Sequence, residues 1–234
     1  MSAKERPILF SAPMVRAIRD GRKSQTRRVV KPVRGFEENN VCRPDLAEDN
    51  HAVWWHGEYE TVGCLQDCPY GQPGDRLWVR ESYRLCAEAD AVKARDTDAG
   101  YRVWYEADAP HQPGEGKLRP GIFMPRWASR ITLEVTGVRV ERLQDISEAD
   151  AIAEGLDRVP DGAAQFGVER LQAISEADAI AEGAPGGHGV IPGYGYNATP
   201  VEHYRHVWES INGPGSWDAN PWVWVVEFRR VQPA

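Results

Sequence analysis

Apolar and polar positions alternate along several stretches of this chain, and the period of the alternation changes where turn residues intervene. Pro7 to Phe10 is a short apolar run that reads as a strand. From Ser11 to Gly21 the apolar residues take helical spacing, with Ser11 placed as N-cap, Pro13 in the first turn and Gly21 as a left-handed stop. Met14, Ala17 and Ile18 are expected to share the buried face of this helix. GRKSQTRR follows at once, with Val29-Val30 as the next strand, so Lys23 and Thr26 are expected on a turn whose shape the helix sets.

Gln72-Pro73-Gly74-Asp75 is a turn signal leading into a strand over residues 76–83. In it Leu77, Val79 and Glu81 alternate with Trp78, Arg80 and Ser82. A further strand is expected over residues 101–106, and a longer block over 124–143 alternates Ile131, Leu133 and Val135 with Thr132, Glu134 and Thr136. Gly137 marks a turn or bulge between two strand segments of that block. Thr199-Pro200 opens a helix running through Trp208 and Ile211, and residues 222–228 form a closing strand that starts apolar on both faces. Residues 35 to about 70 keep no sustained period and read as an insertion, and the Gly- and Pro-rich run 184–200 reads as a mobile loop. Short strands outnumber helices, which predicts an α+β fold, a small β-barrel with flanking helices and loop insertions, over a single domain 1–234.

The segment 140–183 contains a duplication. ISEADAIAEG occurs at residues 146–155 and again at 174–183, and the match extends from Val140 to Gly155 and from Val168 to Gly183 at an offset of 28, with Asp145 replaced by Ala173. Each copy is a complete helix cassette: Ser147 as N-cap, Asp150 as its capping partner, Ile152 on the buried face and Gly155 as the stop, then Ser175, Asp178, Ile180 and Gly183. Two repeats are too few for a solenoid. One copy is therefore expected inside the fold and the other outside it. The first follows the strand ITLEVTGVRVERL directly, while the second lies nearer the helix at Val201. Strand-to-helix geometry is harder to rebuild than a loop, so the first copy is expected in place.

With 234 residues, 41% hydrophobic positions and nine Trp, the chain has material for a sizeable core. No apolar run approaches the about 18 residues a membrane helix needs, and MSAKERPILF lacks the layout of a signal peptide, so a cytoplasmic protein is expected. Of the cysteines Cys42, Cys64, Cys68 and Cys86, only Cys64 and Cys68 stand close, at a spacing seen in zinc sites, with Cys42, Cys86, His51 or His56 as conceivable partners. The plainer alternative is reduced, partly buried thiols, and no cofactor is expected.

A net charge of −7 argues against a generic nucleic-acid coat, yet residues 1–34 hold ten Lys or Arg against Glu5 and Asp20. A local anion site survives the global acidity. Lys23 stands among Arg22, Arg27 and Arg28, and neighbouring positive charge disfavours its protonated form, which suits a general base, while a carboxylate from the repeat helix would oppose that shift and leaves its net sign open. Thr26 would then serve as nucleophile or would position a water. The same residues could instead bind a phosphate, with Arg22, Arg27 and Arg28 contributing. Arg126, Trp127, Ser129 and Arg130 offer a stacking platform and two cations for a base and its phosphate; alternatively Trp127 is core and the arginines are surface. Glu81 is expected as the structural partner of an arginine.

These elements, in this order, resemble the ASCH domain of the PUA-like superfamily. The residues that carry the resemblance are PMVRAI, GRKSQTRR, CPYGQPGDRLWVRE, MPRWASRI, ISEADAIAEG and WDANPWVWVVEF, and the chain is most similar to prophage-type members. The resemblance implies a β-barrel with flanking helices and a cleft for a nucleobase or nucleic acid. Small bacterial ASCH proteins that hydrolyse N4-acetylcytidine use a Lys, a Thr three residues later, and a Glu on the helix after the central strands. By position these fall on Lys23, Thr26 and Glu154, with Glu182 as the alternative in the second copy. Several intervening segments are longer here than in those enzymes. The implied function is an amidohydrolase acting on an N4-acylated cytidine or related modified nucleoside. The alternatives are a non-catalytic RNA- or DNA-binding module and, ranked lower, a nuclease.

Overall fold

The computed structural model describes residues 3–31, 41–42, 52–56, 63–108, 110, 113–156 and 199–231, with backbone alone for 41–42, 52–56 and 63–65. The second repeat copy with Glu182, most of the Gly-rich run, and His51 lie outside the described residues.

Five strands form the main sheet: β1 (Glu5–Leu9), β2 (Gln25–Val29), β6 (Arg76–Arg80), β9 (Thr132–Arg142) and β10 (Trp222–Val231), in the order β1-β6-β9-β10-β2. Only β1 and β6 run parallel. Between them in sequence lie β3 (Val41–Cys42), β4 (Ala52–His56) and β5 (Gly63–Asp67), an antiparallel three-stranded sheet of their own inside the stretch read as an insertion. β7 (Tyr83–Arg84) pairs with β8 (Trp104–Tyr105), so the strand expected over 101–106 is two residues long and passes into a short helical turn. Among the described residues three α-helices complete the fold: α1 (Ala12–Arg19), α2 (Glu148–Ala153) and α3 (Pro200–Asn212). The architecture is α+β, as expected. The sheet is open, with β1 and β2 as its edges and no backbone ladder joining them among the described residues.

β10 explains why its sequence is apolar on both faces. Trp224, Val226 and Phe228 pack into the main core with Ile8, Val15, Ile18, Leu77, Val79 and Leu133. Val223 and Val225 point the other way, into a second cluster with Leu143, Ile146, Ala151, Leu156, Tyr204 and Trp208. Each such aliphatic side chain contributes about 1.5–3 kcal/mol on burial, so a strand lined on both sides anchors the sheet and the two helices together. α3 is held at its start by a full capping box, Thr199 with Glu202.

Of the turn or bulge expected at Gly137, the bulge is present: Glu227 pairs with Gly137 and Phe228 with Val135, leaving Thr136 as its extra residue within one continuous strand. Three local expectations are corrected. In α1 it is Val15, with Ala17 and Ile18, that is buried, and Met14 is only half-buried. In α2 Ala151 is buried while Ile152 is half-buried, because the small residue lets the short helix lie close to its neighbours. The third concerns GRKSQTRR. Thr26, Arg27 and Arg28 belong to β2 rather than to a turn, since β10 offers a free edge and pairs with residues 25–29.

Candidate functional site

Lys23 is placed by the way α1 ends. Gly21 takes φ +74, and the backbone N–H groups of Arg22 and Lys23 both donate to the carbonyl of Ala17, at 2.9 and 3.1 Å. The chain thus folds back beneath the helix and drives the Lys23 side chain inward, where it has no exposure. The end of α2 meets it there. Lys23 and Glu154 form an isolated antiparallel bridge, and Ser24 N–H donates to Ala153 O at 2.9 Å.

At this junction Lys23 Nζ donates to Glu154 Oε2 at 2.7 Å and to the Glu154 backbone oxygen at 2.8 Å. Glu154 is the C-cap of α2, an unfavourable place for a carboxylate in a bare helix. The apposed ammonium offsets this by binding both the side chain and an orphan carbonyl. The second carboxylate oxygen, Oε1, accepts from Arg27 Nη1 at 3.3 Å. Gly155 follows at φ +91, and a Cβ there would lie 2.8 Å from the Lys23 Cβ and 2.9 Å from the Ala17 Cβ. Leu156 then drops into the second core cluster.

Burial lowers the Lys23 pKa below the ordinary lysine value; the Glu154 charge and hydrogen bond oppose the shift, and Arg28 and Arg27 add to it. Desolvation therefore decides the sign, and the neighbouring arginines, the cause named from sequence, are secondary.

Thr26 has no exposure, and its Oγ1 accepts from Arg28 Nη1 at 2.8 Å. The Arg28 guanidinium also donates through Nη2 to Leu9 O at 2.9 Å and lies 5.3 Å from the Phe10 ring centroid. One side chain of β2 thus reaches the opposite edge strand of the sheet. Between the two edges opens a cavity of about 730 Å³, lined by residues of β1 and β2 and by Tyr70, Glu154, Tyr204, Trp208 and Ile211. Its size and aromatic, largely apolar walls with a few charged groups suit a small-molecule site.

The remaining residues singled out from sequence lie elsewhere or act differently. Arg22 donates to Gly155 O at 3.0 Å and pairs with Asp20. Arg126 pairs with Glu5, Trp127 Nε1 donates to Thr97 O, and Ser129 Oγ donates to Val79 O. Arg130 holds Glu81 through two bonds at 2.9 and 3.0 Å and also binds Asp108, which gives Glu81 its expected arginine. None of Arg22, Arg126, Trp127, Ser129 and Arg130 lines the cavity, and neither does Lys23 or Thr26. The Cys42, Cys64 and His56 side chains lie outside the described residues. Burial pushes the Cys68 thiol up to about 11, and among the described residues no group of three His, Cys, Asp or Glu is placed to hold a metal ion. Nor is any described helix long and apolar enough to cross a membrane.

Comparisons with protein-family models, curated proteins and solved structures find no match. The site therefore stands on its own geometry.

Several of its members escaped the sequence reading. Phe10 approaches both Lys23 and Arg28, and Tyr204 lies under Arg27, at 5.8 Å from its ring centroid, with a phenol that burial beside Glu154 pushes well up. Glu141, Asp150 and Arg139 form the ion cluster behind Arg27. No sequence spacing signals that cluster, because its members come from β2, β9 and α2.

Proposed function

We propose that this protein is an ASCH-type amidohydrolase that removes the acyl group from an N4-acylated cytidine or a related modified nucleoside. The observation that carries the reading is the buried Lys23–Glu154 pair, with Thr26 on the adjoining strand and a cavity large enough for a nucleoside that Glu154, Arg27 and Arg28 line. The finer fold assignment belongs to the same proposal: an open five-stranded sheet whose edges are spanned by Arg28 is close to a small barrel with one seam occupied by the cavity.

In this reading neutral Lys23 takes the Thr26 hydroxyl proton as Oγ1 attacks the acyl carbonyl. The new C–O bond forms, the carbonyl becomes an oxyanion, and Arg28, already on Thr26 Oγ1, stands where it can stabilise that charge. Collapse breaks the C–N4 bond. The Lys23 ammonium returns its proton to the leaving amine, releasing cytidine, and water activated by Lys23 then hydrolyses the acyl ester. Arg28 must shift to let the carbonyl reach Thr26. Phe10, Tyr204 and Trp208 supply apolar walls for the ring.

The test is incubation with N4-acetylcytidine and measurement of free cytidine. Release by the wild type, reduced about 100-fold or more in Lys23→Ala, is the expected result. No release by the wild type, or release unchanged in Lys23→Ala, overturns the reading. Salt-sensitive oligonucleotide binding without turnover would point to the nucleic-acid-binding module instead.

A further inference from the structure

Arg27 was read from sequence as a substrate or phosphate contact, but its guanidinium is wholly buried. It faces inward, onto the carboxylate that also holds Lys23. Nη1 donates to Glu154 Oε1 at 3.3 Å, while Nη2 and Nε both donate to Glu141 Oε1, at 2.6 and 3.1 Å. Asp150 Oδ2 lies 3.4 Å from Nη2. Behind these, Arg139 binds Glu141, Asp150 and Glu227, and Gln25 Nε2 donates to the Asp150 carbonyl at 2.8 Å. The cluster alternates in sign from Lys23 through Glu154 and Arg27 to Glu141 and Arg139.

The arrangement answers a difficulty in the chemistry. A base must be neutral for part of its cycle, and a buried Glu154 whose only cation were Lys23 would then be stranded. We propose that Arg27 is a positioning residue: it keeps a cation on Glu154 when Lys23 gives up its proton, and so lets Lys23 act as a base without loss of the carboxylate that orients it. The proposal rests on the amidohydrolase reading, in which Lys23 takes up and returns a proton. Among the described residues, the charged and titratable groups facing the pair are few. β2 supplies Arg27 and Arg28, the C-cap of α2 supplies Glu154, and α3 supplies Tyr204, while α1 offers the Ala17 carbonyl and the residue after β1 the Phe10 ring.

Removing Arg27 takes away one positive charge and leaves Lys23 as the sole cation on Glu154 among the described residues. Both changes favour the ammonium. In Arg27→Met the Lys23 titration followed by NMR should move upward by about one pH unit, and the acid limb of the kcat/KM profile should move with it. At a fixed pH on that limb this is a loss of about tenfold, carried by kcat rather than KM, because the buried guanidinium is already engaged by Glu154 and Glu141. Arg27→Lys, which retains the charge, should recover part of the loss.

Arg27→Met also leaves Glu141 with Arg139 as its remaining arginine, so the pair Arg27→Met/Glu141→Gln serves as a second variant with that carboxylate neutralised. It should show the same upward shift. Wild-type protein gives a third readout, since the Arg27 Nη protons must keep their hydrogen-bonded shifts while Lys23 deprotonates. An unchanged or lowered Lys23 midpoint in a folded variant, or loss of those shifts in the wild type, overturns the proposal. Absence of cytidine release by the wild type overturns the amidohydrolase reading instead, and the Lys23 titration reports on Arg27 in either case.

Discussion

Lys23 Nζ binds Glu154 twice, at the carboxylate and at the backbone carbonyl, across 131 positions of sequence. The contact joins the end of α1 to the end of α2 and is buried on both sides, at 3% and 8% exposure. Its consequences are open to direct measurement.

Because burial lowers the Lys23 pKa, the rate of N4-acetylcytidine hydrolysis should climb through a midpoint below the ordinary lysine value and then level off. Lys23→Arg should abolish the activity, since a guanidinium stays charged at any working pH. The sign for stability follows from the same shift: between the lowered folded value and the ordinary unfolded one, the unfolded chain binds the extra proton, so stability rises with pH there. A pH–rate profile and denaturant unfolding against pH check both.

Glu154→Gln keeps the shape of the residue and removes its charge, and should lower kcat about 100-fold. Glu182→Gln should leave kcat within about twofold, because Lys23 already has its carboxylate. Equal losses in the two variants would assign a working role to the second copy.

Gly155→Ala should cost about 1–3 kcal/mol of stability and reduce activity. The residue sits at φ +91, and the added methyl would meet Lys23 and Ala17 inside 3 Å. Thermal unfolding and the cytidine assay together measure the effect.

Asp75 ties the two parallel strands together by accepting from Lys4 N, Arg6 Nη1 and Gln72 N, at 3.0, 2.7 and 3.2 Å. Burial alone would raise its pKa, but these bonds prevail and hold it below the ordinary carboxylate value. Its contribution is therefore complete above about pH 5 and is lost as pH falls through the lowered folded value. Asp75→Asn should be less stable near neutrality by about 1.5–3 kcal/mol and should flatten that acid dependence in urea titrations from pH 3 to 7.

Much of the local structure was legible in advance. Gly21 and Gly155 announced helix ends, Thr199-Pro200 and Ser147 announced helix starts, and the alternation of Leu77 and Val79 or Leu133 and Val135 announced strands, because each is a short-range conformational or periodic preference. The choice between the repeat copies carried a signal that went unread. Leu156 follows the first copy and Ala184 the second, and the structure buries Leu156 beside Trp208.

Other features had no local cause. Sequence alone placed Lys23 and Thr26 three residues apart and made both plausible chemistry. It could not turn Arg27 inward, since that direction depends on which face of β2 meets Glu141 and Glu154 once β2 has paired with β10. It could not set the sign of the Lys23 shift either, because desolvation depends on everything that surrounds the side chain rather than on its neighbours along the chain. The residues by themselves determined the elements and the inventory of reactive groups. Tertiary packing alone decided which carboxylate meets which cation, and how deeply each pair is buried.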